Sequence, residues 1–368
     1  MKMNEALFKE EERAIYALRA LFRTYGYLPF RMGRFEEYDL YVRNKDFLVS
    51  DSVITFTDTN GRLLAMKPDV TLSIIKNTKD EPGCKQKFSY NENVYRVSAR
   101  TGQYKEIMQT GVECIGDIDG YDIFEVVSLA AASLAGISDR YMLDLSHMGI
   151  LSAILDDLGV SDGFRRAYAP LLAARNRHEV ARLCESEGIS AEGSAALSAL
   201  ASLYGSPDAV LQSLAPLCKS DAAQKAYGEL AALCALLGKT PYADRIRIDF
   251  SVSGDMRYYN GILFRGYLDG IAEGVLSGGE YGRLLRRMGK KSNAIGFAIY
   301  LDLLEDLDTA RPATDVDVLL LYSEQTDPAR IIARRDALIS EGKSVSAQRA
   351  IPAKLRYGSL IDLDKEGN

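Results

Sequence analysis

Residues 151–238 form an Ala- and Leu-rich run with repeated short helical patterns, and strand-rich sequence lies on both sides of it. The composition shifts at about Leu151, and strand character returns only at about Arg245, so the run reads as a helical insertion. Strands clustered around a helical insert argue for an α+β fold with a mostly antiparallel sheet flanked by helices, not for regular βαβ alternation. Turn breaks are expected inside the insert at Gly163, Gly188, Gly205-Ser206-Pro207 and Pro216. The 368 residues suit a core over residues 1–310, with the insert at about 151–240, followed by a small αβ domain over 311–368.

The local signals fill in this outline. Asn4 is placed to cap a first helix ending near Tyr25, with Leu7, Ile15, Leu18, Phe22 and Tyr25 on one face and Gly26 at the stop. Residues 52–57 and 62–67 flank Asp58-Thr59-Asn60-Gly61, a hairpin signal because Asn and Gly accept positive φ. Pro68-Asp69 opens a short helix over 70–76. Strands are expected at 85–90, 93–97 and 106–115, with a polar loop at 98–105. A helix over 121–136 and a strand over 140–146 follow. Beyond the insert, strands are expected at 245–252 and 258–268, and Gly274, Gly278 and Gly279 mark a turn-rich stretch. Residues 293–307 have the length of a closing helix. After Pro312 the tail reads as a strand at 316–322, a helix at 328–341, residues 344–349 and a last strand near 359–363.

Composition excludes several classes. The 45 Lys and Arg against 51 Asp and Glu leave a net charge of −6, whereas a sequence-blind nucleic-acid binder is normally basic because phosphate neutralisation drives its binding. Nucleic acid is therefore not an expected partner. The most apolar stretch, residues 126–137, is broken by Ser128 and Ser133 and is too short to span a bilayer, so no membrane segment is expected. The N-terminal residues are dense in Glu and show no apolar signal core. Cys84, Cys114, Cys184, Cys218 and Cys234 form no CxxC pair, as in a cytoplasmic protein with reduced thiols. His147 and His178 have no close Cys or His companion, so no zinc site is expected and both read as packing or surface residues. Any chemistry falls to arginines and carboxylates.

Four segments, in order, resemble histidyl-tRNA synthetase, a class II aminoacyl-tRNA synthetase. Residues 56–64 followed by Met66-Lys67-Pro68-Asp69-Val70-Thr71 are similar to that family's hairpin and LRPE-x-T turn. Asn93-Val94-Tyr95-Arg96, Gly102-Gln103-Tyr104-Lys105 and Gln109-Thr110-Gly111-Val112-Glu113 resemble motif 2. Tyr258-Tyr259-Asn260-Gly261 resembles the histidine-specific RGLDYYTG segment. Ser277-Gly278-Gly279-Glu280-Tyr281, leading into Ile295-Gly296-Phe297-Ala298-Ile299, resembles the GGGRYD and motif 3 region. The set covers about residues 1–307.

The departures from that pattern carry the functional expectation. Amino-acid activation accumulates negative charge at the α-phosphate of ATP and needs preplaced cations. The resemblance implies three arginines; Arg96 matches the first, but Gly254 and Leu303 stand at the other two positions. Glu280 replaces the GGGRYD arginine, Ser98 replaces motif 2's acidic residue, and Gly33 stands where motif 1 has its proline. Losing one such donor typically costs about 3–4 kcal/mol of transition-state stabilisation, so the ATP machinery is expected to be dismantled and no catalytic residue is assigned.

The amino-acid side matches better. The resemblance implies Asp69, Thr71, Gln109, Glu113, Tyr258 and Tyr259 as histidine-pocket residues, with Arg96 as a residual anion-binding residue. The residues by themselves leave a plainer alternative open: Tyr258 and Tyr259 as strand residues packing on either face, and Glu113 as a surface or ion-pair residue. Together these features resemble the regulatory-subunit family of ATP phosphoribosyltransferase. That resemblance implies a non-catalytic, cytoplasmic protein without metal or cofactor, partnered with the short-form catalytic subunit. It further implies a self-dimer within a hetero-octamer, histidine as effector and a cut-down anticodon-binding tail. A synthetase-derived tRNA- or protein-binding module and an active histidyl-tRNA synthetase are the alternatives.

Overall fold

The structure is a computed structural model that describes residues 10–44, 53–97, 102–254, 258–306 and 314–365. The chain divides into two compact units, Met1–Leu307 and Asp308–Asn368.

In the first unit the strands are β1 (Leu28–Pro29), β2 (Phe35–Glu37), β3 (Thr55–Thr57), β4 (Leu63–Met66), β5 (Lys85–Val97), β6 (Tyr104–Gly116), β7 (Tyr141–His147), β8 (Tyr204–Gly205), β9 (Ile246–Asp249), β10 (Ile262–Leu268), β11 (Leu276–Glu280) and β12 (Asn293–Tyr300). Among the described residues, nine of them form one sheet in the order β1-β5-β6-β12-β11-β10-β7-β9-β8. Only the β1–β5 and β7–β9 pairings in it are parallel. The sheet thus joins strands from both sides of the insert. A satellite sheet, β2-β4-β3, contains the Asp58–Gly61 hairpin. There the Asp58 carboxylate accepts the Asn60 and Arg62 amides at 2.8 Å each.

The core lies where helices cover the large sheet. The first helix, Glu10–Thr24, buries Ala14, Leu18 and Phe22, one residue per turn along a single face. Gly26 ends this segment at φ 80°, a conformation that glycine adopts without steric cost. Tyr25 is exposed, not on the buried face as expected; Tyr27, beyond the glycine, is buried in its place. Residues 1–9, including Asn4 and Leu7, lie outside the described residues. Phe297 of β12 meets Phe22 and Phe264 edge-on, with ring centroids 5.9 and 6.3 Å apart.

Helix Gly120–Ile137 is longer than the apolar stretch noted in the sequence, and it is long and apolar enough to cross a membrane by length and composition. Here its apolar side is packed in the core: Val126, Val127, Leu129, Ala130, Ala131 and Leu134 are fully buried. Asp119 and Asp122 form a reciprocal capping box at its start.

Several expectations are corrected. Residues 293–300 form strand β12, not the start of a closing helix, and only a 3-10 turn, Leu301–Asp306, follows. The cause is double-sided burial: a strand covered on both faces reads as a continuous apolar run, which periodicity cannot separate from a buried helix. Residues 276–280 are strand β11, not turns. The two expected strands at 85–97 are one continuous β5. Gly163 lies inside helix Asp162–Ala173. Strand β10 starts only at Ile262, so Tyr258 and Tyr259 precede it and are not strand residues.

The second unit has three strands, β13 (Val316–Leu321), β14 (Val345–Gln348) and β15 (Tyr357–Asp362), parallel in the order β14-β13-β15. Its helix, Pro328–Ser340, starts on Asp327, whose side chain accepts the Ala329 amide.

Candidate functional site

Alternation along β6 decides what faces the site. Gln109, Gly111 and Glu113 share one side, opposite Tyr300, Ala298 and Gly296 of β12. Ser277 and Gly279 of β11 continue the rows, paired with Ala298 and Gly296. Small residues at the centre of this lattice leave a hollow with polar groups at its rim. The hollow is a cavity of about 210 Å³, below the roughly 300–1,000 Å³ typical of drug-sized ligands and on the scale of a single amino acid.

All seven residues expected from the sequence line it: Asp69, Thr71, Arg96, Gln109, Glu113, Tyr258 and Tyr259. Asp69 sits in the turn before helix Thr71–Asn77 and accepts the Leu72 amide at 2.9 Å. Arg96 of β5 braces the same turn, its Nε donating to the Pro68 carbonyl at 3.0 Å. Burial raises the Asp69 carboxyl above the usual range, while the Leu72 amide and the Arg96 charge work against that rise.

Glu113 is buried, at 2% exposure. Its carboxylate accepts the Thr71 hydroxyl at 2.8 Å and the Tyr281 hydroxyl on its other oxygen. Removal from water is the larger effect and pushes its pKa up to about 8; the two hydroxyl donors oppose this and the nearby Asp69 charge adds to it. Tyr258 stands between Tyr259 and Tyr281, with centroids 4.5 and 5.8 Å away. Burial holds the phenols of Tyr258 and Tyr281 well above the ordinary tyrosine range, so both remain hydrogen-bonding neutral groups. Sequence reasoning quoted Tyr281 inside a motif without assigning it to the pocket. Its signal was the aromatic two positions after the glycine pair Gly278-Gly279.

The glycines in the floor are required by contact. A Cβ on Gly296 would lie 1.8 Å from Glu113 Oε2, and one on Gly278 would lie 2.4 Å from the Gly296 carbonyl. Tyr90, Ser277 and Tyr300, which also line the cavity, were not singled out from the sequence. Ser277 and Tyr300 are joined by a 2.8 Å hydroxyl contact.

At the positions where cations are missing, the structure fills the space. A Cβ on Gly254 would come within 2.6 Å of the Tyr259 ring, so that tyrosine occupies the room a side chain at 254 would enter. Leu303 packs against the core. Among the described residues lining the cavity, Arg96 is the one cation, beside two carboxylates, Asp69 and Glu113. Glu280, at the position of the GGGRYD arginine, is not among the cavity-lining residues, and its Oε1 accepts the Ile262 amide at 2.7 Å. Residues 98 and 255–257 lie outside the described residues.

The two histidines stand apart from this cavity. His147 is buried, its Nδ1 accepting the Gly149 amide at 3.1 Å at the start of helix Met148–Asp157, and His178 is exposed. Among the described residues no group of three or more His, Cys, Asp or Glu is placed to hold a metal.

A large antiparallel sheet flanked by helices, with a strand–loop–strand beside an amino-acid-sized pocket, defines a class II synthetase-type core. The sequence model of the histidyl-tRNA synthetase family matches residues 2–304, and the chain belongs to that family. A protein of Oceanobacillus iheyensis named ATP phosphoribosyltransferase regulatory subunit is 27% identical over 363 residues, covering 97% of this chain and 89% of its own length. A solved Bacillus halodurans structure described as an ATP phosphoribosyltransferase regulatory subunit/histidyl-tRNA synthetase superposes with a TM-score of 0.76 at 22% identity. The match covers 98% of this chain and 96% of that one. A chain from the Thermotoga maritima ATP phosphoribosyl transferase complex gives a TM-score of 0.63 at 16% identity, over 82% of this chain and 98% of that one. Both structures share the fold.

Proposed function

We propose that this chain is the non-catalytic regulatory subunit of ATP phosphoribosyltransferase, at the first step of histidine biosynthesis. It enables the short-form catalytic subunit and conveys feedback inhibition by histidine. The observation that carries the reading is the composition of the cavity. Two acidic side chains, Asp69 and Glu113, and five phenols suit the amine and imidazole of a small zwitterion, with Arg96 left for its carboxylate. The positions that would grip a triphosphate hold Gly254 and Leu303, the first with no room beside Tyr259. The names of the relatives point the same way. The four buried, unpaired cysteines accord with the reducing cytoplasm.

The physical requirement on such a subunit is modest. If histidine binds one quaternary state better than another, about 1–3 kcal/mol of coupling gives roughly 5–150-fold control. We place it as a self-dimer within a hetero-octamer, with residues 311–368 as a reduced anticodon-binding-like domain.

The test mixes the purified chain with a short-form catalytic subunit. Turnover should rise and become sensitive to histidine, and the assembly should grow to the mass of an octamer by light scattering. Unchanged turnover on mixing refutes the assignment. Histidine-dependent ATP–pyrophosphate exchange by the chain alone would instead support an active synthetase, and steeply salt-dependent tRNA affinity would support a tRNA-binding module.

A further inference from the structure

The segment that carries Tyr258 and Tyr259 is held by a group outside the pocket. Residues 258–261 run as a loop into β10. The end of β11 grips this loop twice through Glu280: its backbone carbonyl accepts the Asn260 amide at 3.1 Å, and its Oε1 accepts the Ile262 amide at 2.7 Å. Between those two amides lies Gly261, and a Cβ there would sit 2.3 Å from Glu280 Oε1 and 2.8 Å from Oε2. The carboxylate therefore fills the space that Gly261 leaves. On its other side the Gly261 carbonyl accepts the Met148 amide at 2.8 Å. Met148 begins the helix capped by His147, whose Nε2 meets Glu229 of helix Asp221–Leu237 at 3.2 Å.

We infer that Glu280 is a positioning residue for the ligand pocket: it clamps residues 260–262 to the end of β11 and so sets where Tyr258 and Tyr259 stand over Glu113. The inference rests on the reading of the cavity as a histidine site. It reverses the sense of the substitution at position 280. A residue that looked like a lost cation is turned away from the ligand and supports the aromatic wall from behind. A carboxylate bound to a backbone N–H is among the stronger protein hydrogen bonds, and burial of Glu280, which raises its carboxyl, makes the loss of that donor costly on both sides.

Two readouts test this on the full chain. The first is ligand-free amide hydrogen exchange across residues 258–262. Glu280→Ala should speed exchange at Ile262 by about tenfold or more, and Glu280→Gln, which keeps an acceptor oxygen, should restore most of the protection. Gly261→Ala should loosen the same amides, because its new methyl displaces only the far end of the Glu280 side chain. The second readout is L-histidine affinity by calorimetry, expected to fall about tenfold in Glu280→Ala and to recover in Glu280→Gln. Unchanged Ile262 exchange in Glu280→Ala overturns the inference, as does a Gln variant as loose as the Ala variant. If the unmodified chain binds no histidine, the reading of the pocket falls, and the exchange arm still decides the role of Glu280.

Discussion

The two ends of the cavity are built differently. At one end Glu113, Thr71 and Tyr281 form a closed hydrogen-bonded set, and Tyr258 packs over it. On the other side Ser277 and Tyr300 supply hydroxyls beside glycine backbone, the Tyr259 ring fills the space next to Gly254, and Glu280 turns to the Ile262 amide. The difference sets a buried acidic corner against a side of hydroxyls, a ring and glycine backbone to which no cation is added among the described residues. Beside Gly254 the space is occupied by the Tyr259 ring, and the Glu280 carboxylate is engaged with the Ile262 amide.

That contrast can be broken most forcefully at Gly296. Gly296→Ala places a methyl 1.8 Å from Glu113 Oε2 and 2.5 Å from the Val112 carbonyl, and backbone cannot yield as a side-chain tip does. Overpacking of this kind should cost about 1–3 kcal/mol of stability, and histidine binding should drop about 100-fold or more by calorimetry. Retained affinity would mean that Glu113 does not touch the ligand.

The next effect is a pH dependence. The native Glu113 carboxyl keeps its proton up to about pH 8, whereas the unfolded chain releases it near the ordinary value of 4.5. Between those values the unfolded state binds fewer protons, so this group's contribution to stability declines as pH rises and levels off above about 8. Glu113→Gln cannot ionise. Its melting temperature relative to the unmodified chain should therefore be higher at pH 8 than at pH 5, by an amount equivalent to about 1–3 kcal/mol. A pH-independent difference between the two would place Glu113 in a more solvated setting.

Restoring one cation should fail. In Gly254→Arg the new side chain meets the Tyr259 ring, so histidine affinity should fall about tenfold while ATP–pyrophosphate exchange stays at background. Exchange above background would reopen the synthetase reading. The smallest effect is expected from Tyr300→Phe. It removes the hydroxyl paired with Ser277 at the far end, and histidine affinity should move less than about threefold, near the net worth of one neutral hydrogen bond.

The site was largely legible before the fold was known. Asp69, Thr71, Arg96, Gln109, Glu113, Tyr258 and Tyr259 were expected together, and they do line one cavity. Tyr281 was missed because its partner Glu113 is 168 positions away, and no local pattern links them. The contact of Glu280 with the Ile262 amide was not legible, because position within a motif says nothing about which way a side chain turns. Strand β12 was read as a helix because its double-sided burial erases the alternation that marks a half-buried strand.

What the sequence by itself determined is the hairpin at Asp58–Gly61, the first helix with its glycine stop, and the helical insert. These are written in short windows, because turn chemistry, caps and periodicity act over a few neighbouring residues; the pocket residues came instead from the resemblance to a known family. Only the tertiary structure decided which strands close the sheet across the insert, that Tyr259 takes the room beside Gly254, and that Glu280 holds a backbone amide. Those outcomes depend on contacts between residues far apart in the chain, where burial and the demand that every buried polar group find a partner select one arrangement from many.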